Sequence, residues 1–425
     1  MPIAPRGCLP CAAWFRLVAG MISSRMVSIV LIAALLAGVA LPVVAQQRIA
    51  AVRPDNNALA NAGFNELYNE EYAASIRDFE RLQAQYPLDP FPSNYLVAAL
   101  LFKELSRIGA LDTETYSGNN FLTAKPKKPL DMAVQKRIFD LIARVESQCN
   151  ARLQKNPNDT DALYSRGVAR GFRSTYMGMA EKSWPAGIRS SLAARRDHER
   201  VLEIDPNYVD AKMTVGIHNY IVGSMGWAGR AAVALVGVTG NKQKGLQYLR
   251  QVSRSHGPSS NDATMALALF LRREQLYPEA LELVRGISRE YPKNFLLAVE
   301  YAHLLNAAGH GREAIAEYRA IIERGRAGKF SIYHPEMAAW GLGVSLRGQR
   351  EYQQAAEAFG QVSACRDVDP ALSDRALVAA GEMYDALGRR DLAVADYRRA
   401  MSGGRDGDAV SAARRHLRHP YQFSE

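Results

Sequence analysis

Cysteine is scarce in this chain, with four in 425 residues at positions 8, 11, 149 and 365. That excludes a disulfide-dense scaffold. With two cysteines beyond residue 45, it also excludes a four-thiolate zinc site there. Glycine (32) and proline (19) stand near average usage, so nothing collagen-like or linker-dominated is present. None of the eight histidines falls in H-E-x-x-H or another ligand spacing. His416 and His419 are spaced to share a metal but have no carboxylate beside them in sequence, and His198 is explained by packing. There is no G-x-S-x-G, and no Cys-His or paired-acid grouping stands out. We therefore expect a non-enzyme, without catalytic, cofactor-binding or metal-ligating residues.

What remains is ordinary globular composition, 48% hydrophobic and 23% charged, enough for a large core. The net charge is +10, and it falls to +7 if residues 1–45 are removed, because only Arg6, Arg16 and Arg25 go with them. The basic excess is scattered as pairs such as Arg195-Arg196, Arg272-Arg273 and Arg398-Arg399. A nucleic-acid surface needs clustered cations with interleaved aromatics, so no nucleic-acid partner is expected.

The one long uncharged run is Met26–Val44, preceded by Arg25 and followed by Val43-Val44-Ala45 and Gln46. A basic start, an apolar stretch and a small-residue exit read as a secretory signal peptide over 1–45, with Met21 or Met26 as the start. The alternative is a retained anchor, since such a run is just long enough to span a bilayer. The chain is thus expected to be exported, periplasmic or in the outer envelope, or else anchored in the inner membrane by residues 26–44. Cys8 and Cys11 form a C-x-x-C inside the segment to be removed. Cys149 and Cys365 are far apart, and nothing in the sequence places them together.

From Ala58 onward the chain repeats itself. Ala376–Ala400 carries small or apolar residues at Leu377, Gly381, Tyr384, Gly388, Ala393, Tyr397 and Ala400. The same register recurs at Gly343/Ala355/Phe359, at Ala302/Gly309/Ala314/Tyr318, at Ala268/Tyr277/Ala280, and at Gly63/Tyr72/Ser75/Phe79. The logic is steric: two helices approach closely where one lacks bulk, and an aromatic from its partner fills the adjoining gap. The pattern resembles the tetratricopeptide repeat (TPR), a pair of antiparallel helices recurring at about 34 residues. Resemblance to exported bacterial TPR proteins implies an all-α superhelical solenoid of about eight helix pairs, closed by an amphipathic helix over Asp408–Leu417.

The expected organisation is 1–45 signal, 46–57 linker, 58–257 repeats with insertions, 258–401 regular repeats, and 402–425 cap and tail. Between 88 and 257 the first helices are Ser93–Gly109, Ala162–Gly171 and Val209–Ile221, and the second are Met132–Gln154, Ser190–Ile204 and Lys244–Ser255. Three turns inside these repeats are long, at Ala110–Asp131, Phe172–Gly187 and Val222–Gln243. All should emerge on one edge of the stack. The third turn, with Gly216, Tyr220, Ser224, Gly237, Gly240, Gly245 and Leu246, is similar to the central segment of a eukaryotic TPR family of the mitochondrial outer membrane. Its apolar part is expected to pack over the neighbouring insertions, or to touch a membrane. Gly237–Gly245 is no phosphate loop, since the spacing and the Lys-Ser/Thr are missing.

In TPR arrays the first helices line the concave face. Residues one and four positions after each small residue select Tyr220, Arg272, His303, Asn306, Arg347 and, beside them, Trp340. Such a groove suits an extended protein or peptide partner, with aromatics giving buried area and Arg gripping carboxylates. The Lys/Asn pairing of TPR domains that hold C-terminal carboxylates is absent. The expected function is a protein-binding scaffold of the bacterial cell envelope, or a membrane-associated assembly factor using residues 26–44 or 222–243.

Overall fold

Helix start signals recur along the chain: Asn or Asp as an N-cap, or proline in the first turn. In the computed structural model, which describes residues 51–111, 126, 128–234 and 237–423, they mark where helices begin. Asn57 Oδ1 accepts from Leu59 and Ala60 N–H, Asp131 caps the next-but-one pair of backbone donors, and Asn294 Oδ1 accepts from Leu297 N–H. Pro90, Pro335 and Pro370 stand at first helical positions, where the missing N–H costs nothing. The expected signal segment and most of the first insertion lie outside the described residues.

Eighteen α-helices and no strand are present among the described residues. The pairs are α1 (Ala58–Tyr68) with α2 (Tyr72–Gln85), α3 (Pro90–Arg107) with α4 (Met132–Lys155), and α5 (Thr160–Thr175) with α6 (Trp184–Ile204). Next come α7 (Ala211–Gly223) with α9 (Lys242–Ser253), the short α8 (Trp227–Ala234) lying in their turn. The regular pairs follow: α10 (Ser260–Arg273) with α11 (Tyr277–Glu290), α12 (Phe295–Ala307) with α13 (Gly311–Arg326), α14 (Pro335–Gly348) with α15 (Tyr352–Ser363), and α16 (Pro370–Ala386) with α17 (Arg390–Gly403). Helix α18 (Gly407–Arg418) closes the stack. Apart from α8, each helix packs on its sequence neighbours, the arrangement of a solenoid.

The steric reading of the repeat is visible atom by atom. A Cβ added at Gly63 would lie 2.5 Å from the Phe79 ring, one at Gly343 2.6 Å from Phe359, and one at Gly381 2.6 Å from Tyr397. Gly167 is pressed in the same way against His198, which is buried and stacks on Tyr164 at 5.2 Å. In the central segment Gly245 meets the backbone of Tyr220 and Gly240 meets Val222, so those glycines let α7 and α9 touch.

Two expectations about the insertions are corrected. The second is not a loop: α5 runs on to Thr175, continues as a π-helical turn over Tyr176–Ala180, and α6 begins at Trp184. The added residues lengthen both helices because Tyr176 is buried against Phe139 and Gly178 accommodates Trp184. The third does not pack over its neighbours. Trp227 is 80% exposed, and Met225 and Ile221 are exposed beside it. Two of the turns reach the preceding repeat's second helix: Glu181 is bonded to Gln135 at the start of α4, and Thr239 C=O accepts from Arg195 of α6.

One feature goes beyond a simple stack. The turn after α1 plugs into the turn before α12, more than two hundred residues away. Phe295 N–H donates to Glu70 Oε2 (3.0 Å), Lys293 N–H to Asn69 Oδ1 (3.1 Å) and Asn294 Nδ2 to Tyr68 C=O (2.7 Å). Lys293 Nζ pairs with Glu71 at 2.8 Å, and the Tyr68 and Tyr291 rings meet at 5.2 Å. The superhelix therefore closes on itself after one turn. Glu70 holds φ 60°, at the turn position filled by Gly309 and Gly388, and by Gln275 and Arg350, in other repeats. A non-glycine residue there costs on the order of 1 kcal/mol, and here it delivers a carboxylate to the closing contact. The stretch before α1 is packed as well: Val52 is buried, and Arg53 reaches Asp161 and Tyr208.

Candidate functional site

The inner faces of the first helices line two neighbouring concavities that share His303. The smaller lies between α10, α12 and α14. Arg272, His303, Asn306 and Trp340 line one pocket of about 140 Å³ together with Tyr318 and Val344. Arg272 is held at the base of the pocket by Glu300, its Nη1 3.3 Å from both carboxylate oxygens. Trp340 leans on Phe359 at 5.3 Å and lies under the Arg375 guanidinium at 6.0 Å, which leaves the indole half-buried at the rim. The Tyr318 ring fits against Gly341, so a side chain there would close the pocket.

Two of the expected groove residues stand elsewhere. Tyr220 is 1% exposed and stacks on Phe270 at 3.8 Å, its hydroxyl donating to Glu274 Oε1. It is a packing residue between repeats, because the extra turn that carries α8 draws α9 and α10 over it. Arg347 is on α14 with Trp340 but at its C-terminal end, where it faces Glu382 of α16 and Tyr421.

There the chain meets its own tail. Tyr421 N–H donates to Asp385 Oδ2 (2.8 Å), Tyr421 packs edge-on against His416 at 5.3 Å, and Phe423 stacks on Tyr352 at 4.9 Å. Asp385 is anchored by Arg390 at 2.9 Å and by the Tyr397 hydroxyl at 2.9 Å. His416, spaced with His419 for a metal, instead packs on Tyr397 and faces Glu382 at 3.5 Å. No metal-holding cluster occurs among the described residues.

The second concavity is an axial chamber of two compartments, about 230 and 350 Å³. The compartments share Leu67, Phe172, Thr175, Met213 and Asp262 as lining residues. Asp262 Oδ1 accepts from the Tyr68 hydroxyl at 3.1 Å, and burial pushes its carboxyl up to about 6. The same cause pushes Glu70, on the wall of the larger compartment, up to about 7.

Against known proteins, residues 238–295 and 302–370 match the family model of the tetratricopeptide repeat. Those two stretches carry tetratricopeptide repeats. Among solved structures, a TPR protein from Parabacteroides merdae is similar at 12% identity, covering 76% of this chain and 97% of that one, with a TM-score of 0.33. YrrB, described as a TPR protein with an unusual peptide-binding site, shares 13% identity over 63% of this chain and 97% of its own, at 0.31. Yeast Tom70 shares 11% identity over 86% of this chain and 90% of its own, at 0.37. These are likenesses of fold. None of the curated proteins matches the chain.

A TPR array offers protein-contact surface, and the remaining polar groups fit that reading. One juxtaposition escaped sequence reasoning: Ser191 Oγ of α6 lies 2.7 Å from His218 Nε2 of α7, on the wall of the smaller compartment. Burial holds the imidazole neutral, with its pKa lowered to about 4. Ser191 stands within a helix, however, where neighbouring N–H groups are spent on helical bonds, and acyl transfer needs free donors at the nucleophile. Cys149 and Cys365 are both free thiols, and burial pushes each up. No helix among the described residues is long and apolar enough to cross a membrane.

Proposed function

We propose that this protein is a non-enzymatic, exported TPR scaffold that holds an extended segment of a partner protein in the bacterial cell envelope. The observation that carries the reading is the convergence of Arg272, His303, Asn306 and Trp340, from three successive repeats, on one pocket. An indole, an amide and a guanidinium within one small concavity suit a peptide backbone flanked by aromatic or acidic side chains. The tail supports it: the neighbouring stretch of the inner face already takes an extended segment with two aromatics, Tyr421 and Phe423. Export rests on the uncharged run Met26–Val44 and its Val-x-Ala exit.

The test is capture from envelope extracts with wild type, Trp340→Ala and Asn306→Ala, each checked for native helicity. Loss of the same partner from both variants supports the groove, and identical partner profiles overturn it. Mass spectrometry of the N-terminus tests export, with Gln46 as the expected first residue.

A second reading has its own observation. Helix α8 carries Trp227 into solvent, flanked by exposed Met225 and Ile221. An aromatic tip on a basic chain suits the interface of an anionic bilayer. Under this reading the protein is a membrane-associated assembly factor, and Trp227→Ser abolishes its sedimentation with anionic vesicles.

A further inference from the structure

Beside the closing contact lies a larger concavity that the partner groove does not need. Its two compartments meet at Leu67, Phe172, Met213 and Asp262, and their combined size is that of a small-molecule site. Most of the lining area is apolar, with hydroxyl, amide and imidazole groups among it, and the charged groups of the lining are the carboxylates Glu70, Asp210, Asp262 and Glu300. Among the described residues no Lys or Arg lines either compartment.

One group offers a free acceptor. Asp262 Oδ1 is satisfied by Tyr68, while Oδ2 has no partner among the described residues and the residue meets no cation. The unpartnered Asn94 Oδ1 and His198 Nδ1 are sealed within the wall and do not face the space. The other lining carboxylates are matched: Asp210 faces Arg53 at 3.7 Å, Glu300 holds Arg272, and Glu70 takes the Phe295 N–H. A carboxylate that meets no cation, on a mostly apolar wall, selects a ligand that brings a donor and the positive charge.

We infer that the axial chamber binds an elongated apolar molecule bearing a protonated amine, with the ammonium on Asp262 and the hydrocarbon in the larger compartment. An anionic amphiphile is disfavoured, because no lining cation would receive its head. This site adjoins the groove at Trp340 through His303, but Asp262 and Met213 lie outside that groove, so failure of their variants leaves the partner reading standing.

The experiment measures binding of three probes of equal chain length, dodecylamine, dodecanol and dodecanoate, to the purified protein by calorimetry below their micelle concentrations. Dodecylamine is expected to bind tightest, by roughly tenfold over dodecanol, the usual worth of a charged hydrogen bond. Asp262→Asn should erase that preference and leave dodecanol unchanged. Met213→Trp, which fills the waist, should weaken all three. If Asp262→Asn does not fold, the wild-type series and Met213→Trp decide. Equal affinity for amine and alcohol, preference for dodecanoate, no binding of dodecylamine, or binding indifferent to Met213→Trp overturns the inference.

Discussion

The closing contact between the first and sixth hairpins has a titratable group at its centre, which makes it measurable. Glu70 is 4% exposed and accepts the Phe295 N–H, and burial raises its carboxyl from 4.5 to about 7. The folded state therefore holds a proton that the unfolded chain has released over that interval. Stability contributed by this group is complete below pH 4.5 and is lost as pH rises through 7. At 1.36 kcal/mol for each unit, the loss amounts to about 3 kcal/mol. Glu70→Gln keeps the acceptor for Phe295 and cannot ionise. The difference in unfolding free energy between Glu70→Gln and wild type should therefore be small in acid and grow by about 3 kcal/mol above pH 7, the variant being the more stable there. The hydrogen bond from Phe295 N–H and the neighbouring His334 oppose the effect of burial and favour the carboxylate. Urea unfolding followed by circular dichroism, at matched ionic strength across the range, gives the difference directly. Other titrating groups cancel because they are common to both proteins. A difference that stays flat, or a variant that loses ground as pH rises, refutes the buried closing carboxyl.

The remaining expectations concern packing and exposure. Gly381→Val drives a side chain into Tyr397 and should lower stability by about 1–3 kcal/mol, whereas Gly286→Ala in the middle of α11, where a Cβ meets nothing within 4 Å, should raise it by about 0.5–1 kcal/mol; thermal unfolding of both checks the pair. His198, lowered by burial to about 4, is neutral in the fold, so the stability it protects falls as pH drops from 6.5 toward 4. His198→Phe, which places the aromatic found opposite Gly63 and Gly343, should fold and show a shallower acid loss in the same urea series. Trp227→Ser should leave the thermal midpoint within the range of a surface change, about 0.5 kcal/mol, because the ring touches little of the fold.

How much of this could be read from the residues depends on how far apart the interacting residues lie. The repeat was legible because each contact that defines it is local: Gly343 meets Phe359 and Gly381 meets Tyr397 within one hairpin, so spacing alone reports the pairing. Eight pairs and a closing helix followed from counting that register. The groove was half legible. The rule that selects inner-face positions holds where repeats are regular, and it brought Arg272, His303, Asn306 and Trp340 to one pocket. It failed at Tyr220, beside the insertion, because a turn carrying its own helix changes how the next repeat sits. The chamber was not legible at all. Small rotations between successive repeats accumulate to decide whether a solenoid stays open or meets itself, and no spacing encodes that sum. The residues that close it, Asn69-Glu70-Glu71 and Lys293-Asn294, read as ordinary polar turns. Even the positive φ of Glu70 does not mark it out, because Gln275 and Arg350 hold the same conformation at the same turn of other repeats; what sets Glu70 apart is its carboxylate on the Phe295 N–H, a contact that exists only once the stack has closed.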